Sequence, residues 1–116
     1  MSGKILFPDD KEAKRLIIEV GKRMYDKDHC AANDGNISCR TEDGALWVTP
    51  SGVSKGFMTE DILVKTDLQG NILENPDERR ISSEVKLHLR VYHNRADAGA
   101  VVHAHPPAAT AFACAR

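Results

Sequence analysis

The sequence predicts an α/β protein built on a mainly antiparallel sheet, and three features carry that expectation. Two pairs of short β-like runs are each joined by a glycine-bearing turn, two segments carry helical apolar stripes, and a compact apolar strand ends at a proline pair. A chain of 116 residues, 41% hydrophobic and 28% charged, has the composition of a folding globular protein with room for one core.

The first helix is expected over Asp9–Tyr25, where Ala13, Leu16, Ile17, Val20 and Met24 recur at three- and four-residue steps between charged residues. Pro8 with Asp9 or Asp10 supplies its start, and the Asp-, His-, Asn- and Gly-rich segment 26–36 reads as a loop. Ile37–Thr41 and Ala45–Thr49 form a hairpin through Glu42-Asp43-Gly44, closed by a turn at Pro50-Ser51-Gly52. A second hairpin pairs Ile62–Thr66 with Asn71–Glu74 through Asp67–Gly70. Ser82–Asn94 fits both a strand alternation and a helical stripe; its length, its Glu, Lys, Leu and Arg content and the N-cap serines Ser82 and Ser83 favour helix. Ala98–His105 is small, β-branched and apolar, as a buried strand should be. Pro106 and Pro107 then open a final helix over Ala108–Ala115, which has no polar face and reads as an element cut off at Arg116.

Several function classes are disfavoured at this level. The 16 basic and 17 acidic residues are interspersed and leave a net charge of -1, so no single-sign field draws in nucleic acid or a membrane surface. No stretch approaches the roughly 18 apolar residues of a membrane span, and the N-terminus has no signal-like apolar core, so the expected location is cytoplasmic. Three cysteines without a C-x-x-C pair point to reduced thiols. Neither a Walker A loop nor a G-x-G-x-x-G turn is present to imply a nucleotide.

The chemistry-bearing residues cluster late. On a strand, His103 and His105 project to one side, close enough to share a divalent ion, with zinc the expected identity, and they stand at the strand's carboxyl end. Glu84, near a helix start, is the natural third member, although a first-turn glutamate is also ordinary capping chemistry. His88, one turn on, could pair with Glu84 as a ligand or serve as a packed histidine behind the site; His29 and His93 read as exposed. Gly35-Asn36, Ser51-Gly52 and Ser82-Ser83 each offer backbone N–H groups and small side chains suited to an oxyanion.

Four ordered segments, Gly35-Asn36-Ile37-Ser38, Thr49-Pro50-Ser51-Gly52, Ser82-Ser83-Glu84 and His103-Ala104-His105-Pro106-Pro107, resemble the class II aldolases of the fuculose-phosphate aldolase type. That wider family includes ribulose-phosphate epimerases and adducin head domains. The resemblance implies a three-layer αβα sandwich around a mainly antiparallel sheet, with residues 1–116 forming the N-terminal part of a single such domain. It implies that His103 and His105 are zinc ligands, that Glu84 binds zinc at rest and then acts as general acid/base, and that Asn36, Ser51, Gly52, Ser82 and Ser83 take the phosphate. The family's third zinc histidine and its late aromatic residues match no position here, which implies a truncated chain. The implied activity is zinc-dependent cleavage of a phosphorylated ketose such as L-fuculose 1-phosphate, in a homotetramer; a pentulose-phosphate 4-epimerase or a non-catalytic adducin-like interaction module are the alternatives.

Overall fold

The computed structural model of the chain describes residues 6–26, 35–52, 56–104 and 108–112. Helix α1 runs over Asp10–Asp26 and is followed by strands β1 (Asn36–Arg40) and β2 (Leu46–Val48). A short 3₁₀ turn (Glu60–Ile62) leads to β3 (Val64–Thr66) and β4 (Ile72–Glu74), then come α2 (Val85–Asn94), β5 (Ala100–Ala104) and β6 (Ala108–Phe112). The six strands form one sheet in the order β4-β3-β2-β1-β5-β6, and every neighbouring pair is antiparallel.

Local chemistry sets these elements. Asp9 starts α1: its carboxylate accepts the Glu12 N–H at 2.9 Å, satisfying one of the orphan donors of the first turn. Gly44 closes the first hairpin and Gly70 the second, each at a positive φ that a side chain resists. At the second turn the Asp67 carboxylate adds bonds from the Gln69 and Asn71 N–H groups at 2.9 and 2.8 Å.

Strand alternation divides the core. Ile37, Cys39 and Trp47 face α1 and meet Ala13, Ile17 and Met24, with Met58 and Leu63 completing that cluster. Leu46, Val48, Val64 and Val101 face the other way and meet Val85, Leu89 and Tyr92 of α2. Helix, sheet and helix therefore make three layers, the architecture the family resemblance implied. Fully burying one such aliphatic side chain stabilises the fold by about 1.5–3 kcal/mol.

On the α1 side, one corner carries a buried charge. The Lys65 ammonium is paired with Asp10 and Asp43 at 3.0 Å each, and Asp10 also accepts from the Trp47 indole at 3.0 Å. Burial alone pushes the Lys65 pKa down, but the two carboxylates outweigh it and the net shift is upward.

The last element departs from expectation. Ala108–Phe112 is strand β6, registered along β5 from Ala100↔Phe112 to Ala104↔Ala108, and no helix starts at Ala108. Two helical turns are a marginal structure by themselves. The open edge of β5 instead offers a ladder of backbone partners, which outweighs the helix preference of the alanines.

Candidate active site

The site is assembled by register. Because β1 and β5 are antiparallel with Asn36 opposite His103 and Ser38 opposite Val101, Asn36, Ser38 and His103 share the sheet face covered by α2. Pro50 bridges Ile81, and the Ser51 N–H donates to the Arg80 carbonyl at 2.8 Å, so the segment ahead of α2 is laid against the end of the first hairpin. Glu84 thereby arrives at the start of α2 directly over Asn36 and His103.

The contacts are short. Asn36 Nδ2 donates to Glu84 Oε1 at 2.6 Å and reaches Ser82 Oγ at 3.4 Å. Glu84 Oε1 stands 3.3 Å from His103 Nδ1. Ser82 Oγ also accepts the Glu84 N–H at 3.1 Å, so the serine hydroxyl, two residues earlier, fixes the backbone that carries the carboxylate. Asn36 and His103 are buried, whereas the Glu84 side chain is 40% exposed. A carboxylate so placed is anchored from below and open above.

Behind this rung lies a second polar group. Ser38 Oγ is 2.7 Å from His88 Nδ1 and 2.8 Å from the Tyr92 hydroxyl, and all three residues are buried. Burial, and then the neighbouring His103, push the His88 pKa down to about 4, so its imidazole is neutral at physiological pH.

The expected residues fall into three groups. Asn36, Ser82, Glu84 and His103 converge, as just described. Ser51, Gly52 and Ser83 are exposed at the adjoining turns, and the Ser51 N–H is spent on the Arg80 carbonyl. Gly52 has a φ of +73° with open space around its α-carbon. His105 and His29 lie outside the described residues. His88 makes its bond to Ser38 and packs behind the site, and His93 is exposed, its Nε2–H donating to the Leu68 carbonyl at 2.8 Å.

As a metal-binding set the donors are partial. Among the described residues no three His, Cys, Asp or Glu side chains form a closed group. Glu84 and His103 nevertheless converge, a carboxylate oxygen beside an imidazole nitrogen on a buried wall, which is donor chemistry that suits zinc. The pair fits part of such a centre, with His105 as the other donor expected from the residues of this sequence.

Sequence reasoning missed the Ser38–His88–Tyr92 group and the Asn36–Glu84 bond. The available signal was periodic: Ser38 is two residues beyond Asn36 on a strand, and His88 and Tyr92 follow Glu84 at one and two helical turns.

A three-layer fold around an antiparallel sheet is shared with solved L-fuculose 1-phosphate aldolases. The chain belongs to the class II aldolase family: residues 15–116 match the sequence model of the class II aldolase and adducin N-terminal domain. It is 35% identical over 95 residues to the L-fuculose phosphate aldolase of a Methanococcus maripaludis strain, covering 82% of this chain and 50% of that protein. It is 37% identical over 98 residues to the methylthioribulose-1-phosphate dehydratase of Gluconobacter oxydans, covering 84% and 46%. The crystal structure of L-fuculose-1-phosphate aldolase from Thermus thermophilus superposes with a TM-score of 0.65 at 34% identity, over 81% of this chain and 46% of that one. The chain thus spans about half the length of the curated relatives it matches. No helix among the described residues is long and apolar enough to cross a membrane.

Proposed function

We propose that this chain carries the phosphate- and metal-binding face of a zinc-dependent lyase that cleaves a phosphorylated ketose, such as L-fuculose 1-phosphate, to dihydroxyacetone phosphate and an aldehyde. The observation that carries the reading is the Glu84 carboxylate, bonded to buried Asn36 and 3.3 Å from His103, yet open to the solvent side.

His103 and His105 would hold the ion, and Glu84 would bind it at rest and give way to substrate, which frees the carboxylate for acid/base work. When bound, a divalent metal polarises the substrate carbonyl as a Lewis acid and so lowers the cost of charge on the departing carbon. Glu84 supplies the acid/base function: it takes the proton of the hydroxyl on the aldehyde-forming carbon and returns one to the ketone-bearing fragment. The carbon–carbon bond breaks between these two events, and its electron pair passes into that fragment. Asn36 holds the Glu84 oxygen in reach, and its own amide is kept in place by burial. The phosphate would be taken by Asn36, the Ser51 hydroxyl, the Gly52 N–H, Ser82 and Ser83, which anchors the substrate away from the bond that breaks. By family resemblance the assembly is a cytoplasmic homotetramer.

A second reading comes from the dehydratase relative, whose similarity to this chain matches that of the aldolase. Loss of water beside a carbonyl needs the same carboxylate and the same phosphate anchor, and it differs in which bond breaks.

Both readings are tested by supplying L-fuculose 1-phosphate and methylthioribulose 1-phosphate separately to the protein with Zn²⁺. Dihydroxyacetone phosphate release from the first, lost by more than a hundredfold in Glu84→Gln and in His103→Ala, is the expected result. Water loss from the second without cleavage of the first would transfer the assignment to a dehydratase. If neither substrate reacts, or His103→Ala behaves as wild type, the lyase reading is wrong.

A further inference from the structure

Two rungs of hydrogen bonds tie α2 to β1. The first joins Asn36 to Glu84 at 2.6 Å, and the second joins Ser38 to His88 at 2.7 Å, with Tyr92 reaching the same serine hydroxyl at 2.8 Å. Their spacing is matched: two residues of strand advance about 6.6 Å, and four residues of helix advance about 6 Å. A helix lying along β1 can therefore satisfy both rungs in one register, while a slip of one residue breaks both.

Apart from the exposed His93 bond to the Leu68 carbonyl, the remaining contacts of α2 are less discriminating. Val85, Leu89 and Val91 pack on Val48, Val64 and Val101, and apolar surfaces of this kind fix proximity more than register. Glu84, bonded to Asn36, stands at the helix start with its side chain 40% exposed, so solvent competes for that first rung. The second rung is the opposite case, with Ser38 fully buried, His88 1% exposed and Tyr92 3%. No water competes for these directional bonds, so leaving one unmade is costly.

We propose that Ser38, His88 and Tyr92 form a positioning device that sets where the Glu84 carboxylate stands relative to His103. The three residues act through the register of α2, while His88 Nε2 is buried without a hydrogen-bond partner among the described residues and is the atom that a direct ligand role would use. The inference rests on the metal-binding role proposed above for Glu84 and His103, and its test separates the two.

The test is calorimetric titration of the chain with Zn²⁺ alone, at a temperature where circular dichroism shows each variant folded. Tyr92→Phe keeps the ring and removes one hydroxyl, and it should weaken Zn²⁺ binding about tenfold, the lower end of the effect of removing groups that orient metal ligands. Ser38→Ala, which removes the shared hydroxyl, should weaken it at least as much. His88→Leu should match Ser38→Ala, whereas His88→Asn, whose amide can still bond Ser38, should recover most of the affinity. Binding within twofold of wild type in both Tyr92→Phe and Ser38→Ala, with His103→Ala abolishing it, would overturn the positioning role and leave the metal site standing. Equal loss in His88→Asn and His88→Leu alongside unchanged Ser38→Ala would overturn it too, by making His88 Nε2 a ligand. If His103→Ala binds Zn²⁺ as wild type does, the metal reading fails first and the positioning inference falls with it.

Discussion

His88 gives the clearest residue-scale consequence. Its folded pKa of about 4, lowered by burial and then by His103, lies below the value near 6.5 of an unfolded histidine. Between these values the unfolded chain binds a proton that the folded chain refuses, so acid favours unfolding and stability falls as pH drops from 6.5 towards 4. The full effect is on the order of 3 kcal/mol. Urea midpoints of the metal-free chain should therefore decline across that window, and His88→Asn should flatten the decline; a midpoint constant from pH 7 to 4.5 would contradict it. The Asp43 carboxylate acts in a separate range, because hydrogen bonds from Thr41 and then Lys65 lower its pKa below 3.8 and its contribution disappears only in stronger acid. The convergence of several candidate residues was legible at this scale. His103 stands out by residue type and strand-end position, and Glu84 by its place at a helix start, where capping is the competing reading. Ser38 and Tyr92 do not, since a serine and a tyrosine 54 residues apart carry no local mark of the hydroxyl they share.

Among the elements, α1 offers a direct check on its start signal. Asp9→Ala removes the carboxylate that accepts the Glu12 N–H and should cost about 1 kcal/mol, measured by chemical denaturation, whereas Asp9→Asn should cost much less. Both hairpins and both long helices were legible because each has its own period and its own punctuation. Gly44 and Gly70 occupy the positive-φ turn positions, and the α1 stripe of Ala13, Ile17 and Met24 is the face that is buried. Strand β6 was not legible, for a physical reason. The sequence of Ala108–Phe112 records a preference for helix, while its pairing depends on β5 having an open edge, and that edge is a property of the sheet. The start of α2 shows a smaller displacement: the helix opens at Val85, and Ser82 spends its hydroxyl on the Glu84 N–H, two residues ahead of it.

At the scale of the molecule, the two helices sit on opposite faces of one sheet, and the proposed metal site lies where the α2 layer meets β1 and β5. An ion bound there would join two layers and should stabilise the fold. With Zn²⁺ at a hundred times its Kd the gain is about 2.7 kcal/mol, which calorimetry should register as a raised midpoint in wild type and not in His103→Ala. The layered architecture was legible from the four ordered motifs, but the closeness of Asn36 to Glu84 required the whole sheet to be in place. The bridge between Pro50 and Ile81 has one more consequence. It holds the two ends of residues 51–80 together beside the site, and the turn at 75–79, close to the returning end, is held by the Asn75 amide bonding both the N–H and the carbonyl of Arg79. Chain inserted at exposed Asp77, four residues before Ile81, would lengthen only that surface turn, at a closure cost that grows slowly with length. The fold thus offers a place to graft a new segment that hangs from the rim of the site without shifting its floor.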